Sequence, residues 1–131
     1  SYLRAHGGPQ RPSDLAVHAL MVDRIGGAPL RWDLSKGGET RVHHVSSRFL
    51  VNSAQVTRDL AVQGQGIAYC PRFVLGDDLE AGRLVRVLPD HTGERYALSV
   101  VYLEGRALPR KLRALIDFAL RDVRSSRIGL V

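Results

Sequence analysis

The chain has one cysteine, so no disulfide can form within it, and a lone thiol fits a reducing compartment. Aromatic side chains make up only 6% of the residues, too few for the stacking platforms of single-stranded nucleic-acid binders. No stretch approaches the ~18 consecutive apolar residues of a membrane span. The start also lacks the basic-then-apolar pattern of a secretion signal. A cytoplasmic setting with no membrane partner is the expectation. Lysine is scarce: of 19 basic residues only Lys36 and Lys111 are lysines, and the rest are arginines. The net charge of +6 is scattered along the chain apart from a group at Arg121, Arg124 and Arg127, which describes a solvated surface better than a nucleic-acid footprint. Metal-ligand spacing is missing as well. His43 and His44 are adjacent on a strand and point to opposite faces, while His6, His18 and His91 are widely separated. No serine lies in a nucleophile elbow and no carboxylate pair suits acid–base work, so no catalytic residue, metal or cofactor is expected.

With 131 residues and 44% hydrophobic content, the chain can form one domain, or one domain and a piece of another. The start at Ser1-Tyr2-Leu3, without an initiator Met, implies a piece of a longer chain. Val51 to Pro71 is its most informative stretch and reads as strand, helix, tight turn, strand. Asn52 is the expected N-cap, with Gln55 three residues on in the capping-box position. Val56 and Leu60 recur at helical spacing. Gly64 suits a left-handed residue past the helix end, and Gly66 a sharp entry into the strand Ile67–Cys70. Pro71 stops that strand. Two strands joined by one helix run parallel, so the helix start and its free N–H groups face the carboxyl edge of the sheet, a seat for a small anion.

Before this unit, Ser1 to His6 reads as a helical turn. A short helix opens at Pro12-Ser13-Asp14 with Ser13 as its cap, and Ala19 to Val22 is a buried strand. Asp23 to Pro29 is loop. Alternation at Leu30, Trp32 and Leu34, the turn Lys36-Gly37-Gly38 and the return Glu39–His43 spell a hairpin, which Trp32 packs onto the sheet. After Pro71, a helix is expected from Arg72 to Ala81 with Phe73, Val74 and Leu79 inward. A short strand then runs over Arg83–Leu88, followed by a polar loop and a strand over Tyr96–Leu103. Past Pro109 comes an amphipathic helix with an apolar stripe at Leu112, Leu115, Ile116, Ala119, Leu120 and Val123. Strands interleaved with helices make the fold class α/β. That last stripe would lie partly bare in this chain, predicting poor solubility or a swapped partner.

Five blocks, SYLRAHG, RPSDLAVH, FLVNSAQVTRDLAVQGQGIAYCP, DDLEAGRLVRVLPD and LPRKLRALIDFAL, stand in an order and at a spacing that resembles the regulatory domain of LysR-type transcriptional regulators. The resemblance implies a periplasmic-binding-protein-like (type 2) architecture, with a Rossmann-like subdomain whose mixed central sheet is flanked by helices. Residues 1–97 would form the second subdomain, with a hinge beginning near Ser1. Residues 98–131 would form a return crossover strand and a helix of the first subdomain. The family's N-terminal winged helix-turn-helix would lie outside this chain. The resemblance further implies a small-molecule effector, a homodimer or homotetramer, and contact with DNA only through that other domain. A transport-type solute-binding protein on the same architecture is the alternative. Tyr69-Cys70 departs from the aliphatic residues usual there, which puts the lining beside the cleft in question. Some family members sense oxidants through paired cysteines, but Cys70 has no second cysteine to resolve it and reads as a packed thiol.

The family's effector cleft takes in the first turn of the central helix, which nominates Asn52, Ser53 and Gln55 as ligand contacts. Pro71 and Arg72 follow a strand of the same sheet and should open on the same edge, where Arg72 could pair bidentately with a carboxylate. Arg24, after the first strand, carries the same argument.

Overall fold

A computed structural model describes residues 1–23, 30–95, 99, 101 and 109–125. They fall into two units, Ser1–Glu94 and Arg95–Val131.

In the first unit, strands β1 (Leu20–Asp23), β4 (Phe49–Val51) and β5 (Ile67–Tyr69) form a parallel sheet in the order β4-β1-β5. Val22 stands opposite both Leu50 and Tyr69 in this sheet. The apolar run Leu20-Met21-Val22 is buried throughout, as a parallel strand covered on both faces requires. Leu20 and Val22 join Ile67, Leu15, Trp32, Leu34 and Leu88 in the core. Met21, one residue out of step, points to the other face, where helix α2 (Ala54–Val62) packs across all three strands.

The hairpin, β2 (Arg31–Lys36) and β3 (Glu39–His44), is a separate antiparallel sheet. Gly37 and Gly38 (φ 60° and 87°) make the two-residue turn whose twist suits a hairpin. The parallel and antiparallel pairings of the expected α/β fold are both present, divided between two sheets. Trp32 does pack the hairpin onto the sheet: only 4% exposed, it stacks on Tyr69 of β5 at a ring-centroid distance of 5.3 Å.

The opening turn is helix α1 (Tyr2–His6). Tyr2 fastens it to the sheet, its hydroxyl accepting from the Ala19 N–H at 2.8 Å and lying 3.2 Å from His18 Nδ1. Gly64 is left-handed (φ 74°), as expected. Gly66 answers a different need. A Cβ there would lie 2.1 Å from the Ala19 carbonyl oxygen, because the chain enters β5 against the start of β1.

Four local expectations are corrected. The central helix is capped by Ser53, not Asn52: Asn52 and Ser53 extend the chain beyond β4, and Ser53 Oγ accepts from the Val56 N–H at 3.5 Å. Gln55 therefore falls at the second helical position, one short of a capping box. The segment Pro12–Val17 is a 3-10 helix capped at Arg11 rather than Ser13, because the Asp14 carboxylate reaches back to accept the Gln10 and Arg11 N–H groups. The expected helix over Arg72–Ala81 shrinks to a 3-10 turn, Arg72–Val74, since Gly76 turns left-handed (φ 54°) and the chain bends toward Asp78. Phe73 (63% exposed) and Leu79 (39%) consequently do not point inward. Arg83–Leu88 is irregular instead of a strand. The Leu84 N–H bonds the Asp78 carbonyl, and Leu88 adopts φ 50° to bury its side chain. The loop at residues 24–29 and most of the strand expected over residues 96–103 lie outside the described residues.

In the second unit, helix α3 (Arg110–Ser125) carries the expected amphipathic stripe. Leu112, Leu115 and Leu120 are exposed, as is Phe118 beside them.

Candidate functional site

A parallel sheet brings the carboxyl ends of its strands to one edge. Because β4 and β5 flank β1 in register, the residues that follow them, Asn52-Ser53 and Cys70-Pro71-Arg72, leave the sheet on that edge from either side of β1. The chain steps from β1 to β4 on one side, then crosses through α2 to β5 on the other. The reversal lies between β1 and β5, the switch point where ligands gather in open α/β sheets.

Within the first turn of α2, Asn52 and Gln55 are exposed and Ser53 is half-buried. The Ser53 hydroxyl accepts the Val56 N–H, leaving its own proton available for donation. One turn on, the buried Thr57 hydroxyl donates to the Ser53 carbonyl at 3.1 Å, closing the turn from inside. Pro71 is half-buried in an extended conformation (φ −60°, ψ 142°) and hands the chain to an exposed Arg72. Among the described residues Arg72 has no ion-pair partner, unlike Arg58 and Arg83 nearby. Arg24 lies outside the described residues.

Two features escaped the sequence reading. Tyr69, odd by family pattern, is a clamp: besides stacking on Trp32, its hydroxyl accepts the Glu94 N–H at 2.7 Å and donates to the Asp33 carbonyl at 3.4 Å. Burial pushes its phenol above the usual tyrosine range. The alternation of the hairpin pointed to Trp32, but nothing local paired it with Tyr69. The second feature is Asp78, whose carboxylate is fully buried between the guanidinium groups of Arg58 and Arg83. The Arg58 hydrogen bond, ahead of the one from Arg83, holds it below the usual carboxylate range. This triad ties the segment after β5 to α2. Three residues scattered over 26 positions give no motif.

Among the described residues no three His, Cys, Asp or Glu side chains are grouped to hold a metal. Cys70 is half-buried at the end of β5. A hollow of about 380 Å³, lined by none of the carboxyl-edge residues, lies between one face of the hairpin, the 3-10 helix at Pro12 and the loop at His91.

An open parallel sheet whose loops converge on its carboxyl edge at a switch point is the architecture of small-molecule-binding α/β modules. The chain belongs to the LysR substrate binding domain family, which matches residues 1–124. It is 31% identical over 115 residues to an uncharacterized HTH-type transcriptional regulator of Haemophilus influenzae, an alignment covering 88% of this chain and 40% of that protein. It is 26% identical to the HTH-type transcriptional regulator CrgA of Neisseria meningitidis over 129 residues, covering 98% of this chain and 43% of CrgA. Among solved structures, the regulatory domain of AphB from Vibrio vulnificus matches with a TM-score of 0.66 at 30% identity, covering 92% of this chain and 59% of that one. The CrgA regulatory domain matches with a TM-score of 0.69 at 26% identity, covering 92% and 60%. The chain thus spans about 40% of the length of the curated relatives it matches. The relatives named here are transcriptional regulators, not transport solute-binding proteins or enzymes. No helix among the described residues is long and apolar enough to cross a membrane.

Proposed function

We propose that this chain is the effector-binding part of a LysR-type transcriptional regulator, which couples a small metabolite to DNA binding by a winged helix-turn-helix elsewhere in the full protein. Residues 1–97 are the second regulatory subdomain; residues 98–131 are the return crossover and a helix of the first. The regulator works as a cytoplasmic homodimer or homotetramer. Its effector sits on the carboxyl edge, touching Asn52, Ser53, Gln55, Pro71, Arg72 and Arg24.

One observation carries this reading: the strand order β4-β1-β5, whose carboxyl edge collects the capped start of α2 and the Arg72 turn on the two sides of β1. A helix start favours negative charge, and an arginine with no ion-pair partner among the described residues has its fork of donors available, so the effector bears a carboxylate. Binding biases regulation by favouring one arrangement of the subdomains over another. The test is a thermal-shift screen of the full regulatory domain against small aliphatic and aromatic carboxylates. A hit should stabilise the domain, and Asn52→Ala and Arg72→Ala should each shrink that shift. If both substitutions leave it intact, the effector binds elsewhere.

A further inference from the structure

The inner face of the hairpin changes character along its length. Trp32 stands opposite His43, Leu34 opposite Arg41 and Lys36 opposite Glu39, all on one face of the two strands. At the Trp32 end this face is core. At the turn end it becomes the floor of the hollow of about 380 Å³, within the size range of small-molecule sites. The loop at His91 forms the far wall and is pinned in place. Ser35 and Thr92 exchange both backbone hydrogen bonds, at 2.8 and 2.9 Å, and Arg86 donates to the His91 carbonyl at 2.8 Å.

Leu34 and Pro12 supply apolar lining, and four basic side chains, Lys36, Arg41, His43 and His91, converge with one acid, Glu39. His91 Nδ1 is buried with no hydrogen-bond partner, a vacancy that a ring nitrogen rarely carries inside a protein. The two fixed cations are engaged, Lys36 with Asp90 at 3.1 Å and Arg41 with Glu39 at 3.0 Å. Both pairs are largely exposed, and exposed pairs contribute little, so either cation can turn to a better-placed anion.

We propose that this hollow is a second ligand site, separate from the carboxyl edge, which takes a small oxyanion, a phosphate or carboxylate group, between Lys36 and Arg41 with His43 and His91 as its hydrogen-bonding neighbours. Charge argues for an anion: around the hollow Lys36, Arg41 and Arg86 stand against Glu39 and Asp90, and the histidines add donors. The apolar strip of Leu34 and Pro12 leaves room for a short organic body behind the charged head.

Calorimetric titration of the full regulatory domain with inorganic phosphate and with malonate, at fixed ionic strength, tests the assignment. Saturable binding of at least one probe is expected, and the preferred probe identifies the head group. Lys36→Gln and Arg41→Gln should each weaken binding about tenfold, the scale of one charge-assisted hydrogen bond. Glu39→Gln and Asp90→Asn should tighten it by removing competitors for the same cations. In a proton spectrum, the ring signals of His43 and His91 should move with the bound probe while those of His6, His18 and His44 stay. Four results would each overturn the site: saturation by neither probe, affinity indifferent to Lys36→Gln and Arg41→Gln, unmoved His43 and His91 signals, or loss of binding in Arg72→Ala.

Discussion

Tyr69 offers the sharpest test of how the hairpin is held. Its ring stacks on Trp32, and its hydroxyl bridges the Glu94 N–H and the Asp33 carbonyl. Tyr69→Phe keeps the stack and removes the bridge. The Asp33 bond is long and Glu94 is exposed, so the loss should be near that of a single net hydrogen bond, about 1 kcal/mol. Tyr69→Leu, which restores an aliphatic residue, also removes the ring pair, worth about 0.5–1.5 kcal/mol, and thins the packing over Trp32, for a total of about 2–4 kcal/mol. Trp32 is the only tryptophan in the chain, so its emission during urea unfolding reports on the affected contact. The midpoint should fall in the order wild type, Tyr69→Phe, Tyr69→Leu, with a red-shifted native spectrum only in the last. Equal losses for the two variants, or no loss in either, would refute the clamp. An alkaline arm follows from the raised phenol. Folding favours its neutral form, so that contribution is complete below the ordinary tyrosine value of 10.0 and is lost as pH rises through the higher folded value. Tyr69→Phe should flatten this alkaline limb.

Asp78, held below its usual value of 3.8 by Arg58 and Arg83, contributes stability above that pH which is lost as acid protonates the folded carboxylate. Asp78→Asn should flatten the acid limb of an unfolding–pH profile and, at neutral pH, speed limited proteolysis within residues 72–84. Ser53→Ala should cost about 0.5–1 kcal/mol as a lost N-cap, whereas Asn52→Ala should leave urea stability within about 0.5 kcal/mol and reduce only the effector-induced thermal shift. Gly66→Ala, whose Cβ would meet the Ala19 carbonyl, should cost about 1–3 kcal/mol by overpacking against backbone. Gly76→Ala, at φ 54° with open space around it, should cost about 1 kcal/mol, so chemical denaturation should rank the two glycines in that order.

Elements written in short-range patterns were legible from the sequence. The hairpin follows from alternation around Gly37-Gly38, α3 from its 3.6-residue stripe, and the strand–helix–strand unit from Val51 through Pro71, because neighbours along the chain decide each of them. The resemblance of five spaced blocks placed the chain in its family. Where local pattern competed with a distant partner, the partner won. Arg72–Ala81 has helical spacing, yet the segment bends so that Asp78 can reach Arg58 and Arg83, since a buried carboxylate needs its countercharges more than an exposed turn needs helix. Arg83–Leu88 alternates weakly, but among the described residues no strand pairs with it to accept its hydrogen bonds.

The sequence by itself determined the hairpin, the helices α2 and α3, and that β4 and β5 run parallel. Only the tertiary structure decided that β1 lies between them, that Ser53 rather than Asn52 caps α2, and that Tyr69 closes on Trp32. The physical reason is range: backbone propensity and side-chain period act over a few residues, whereas strand order, cap position and ring pairing are set by which surfaces must leave water together.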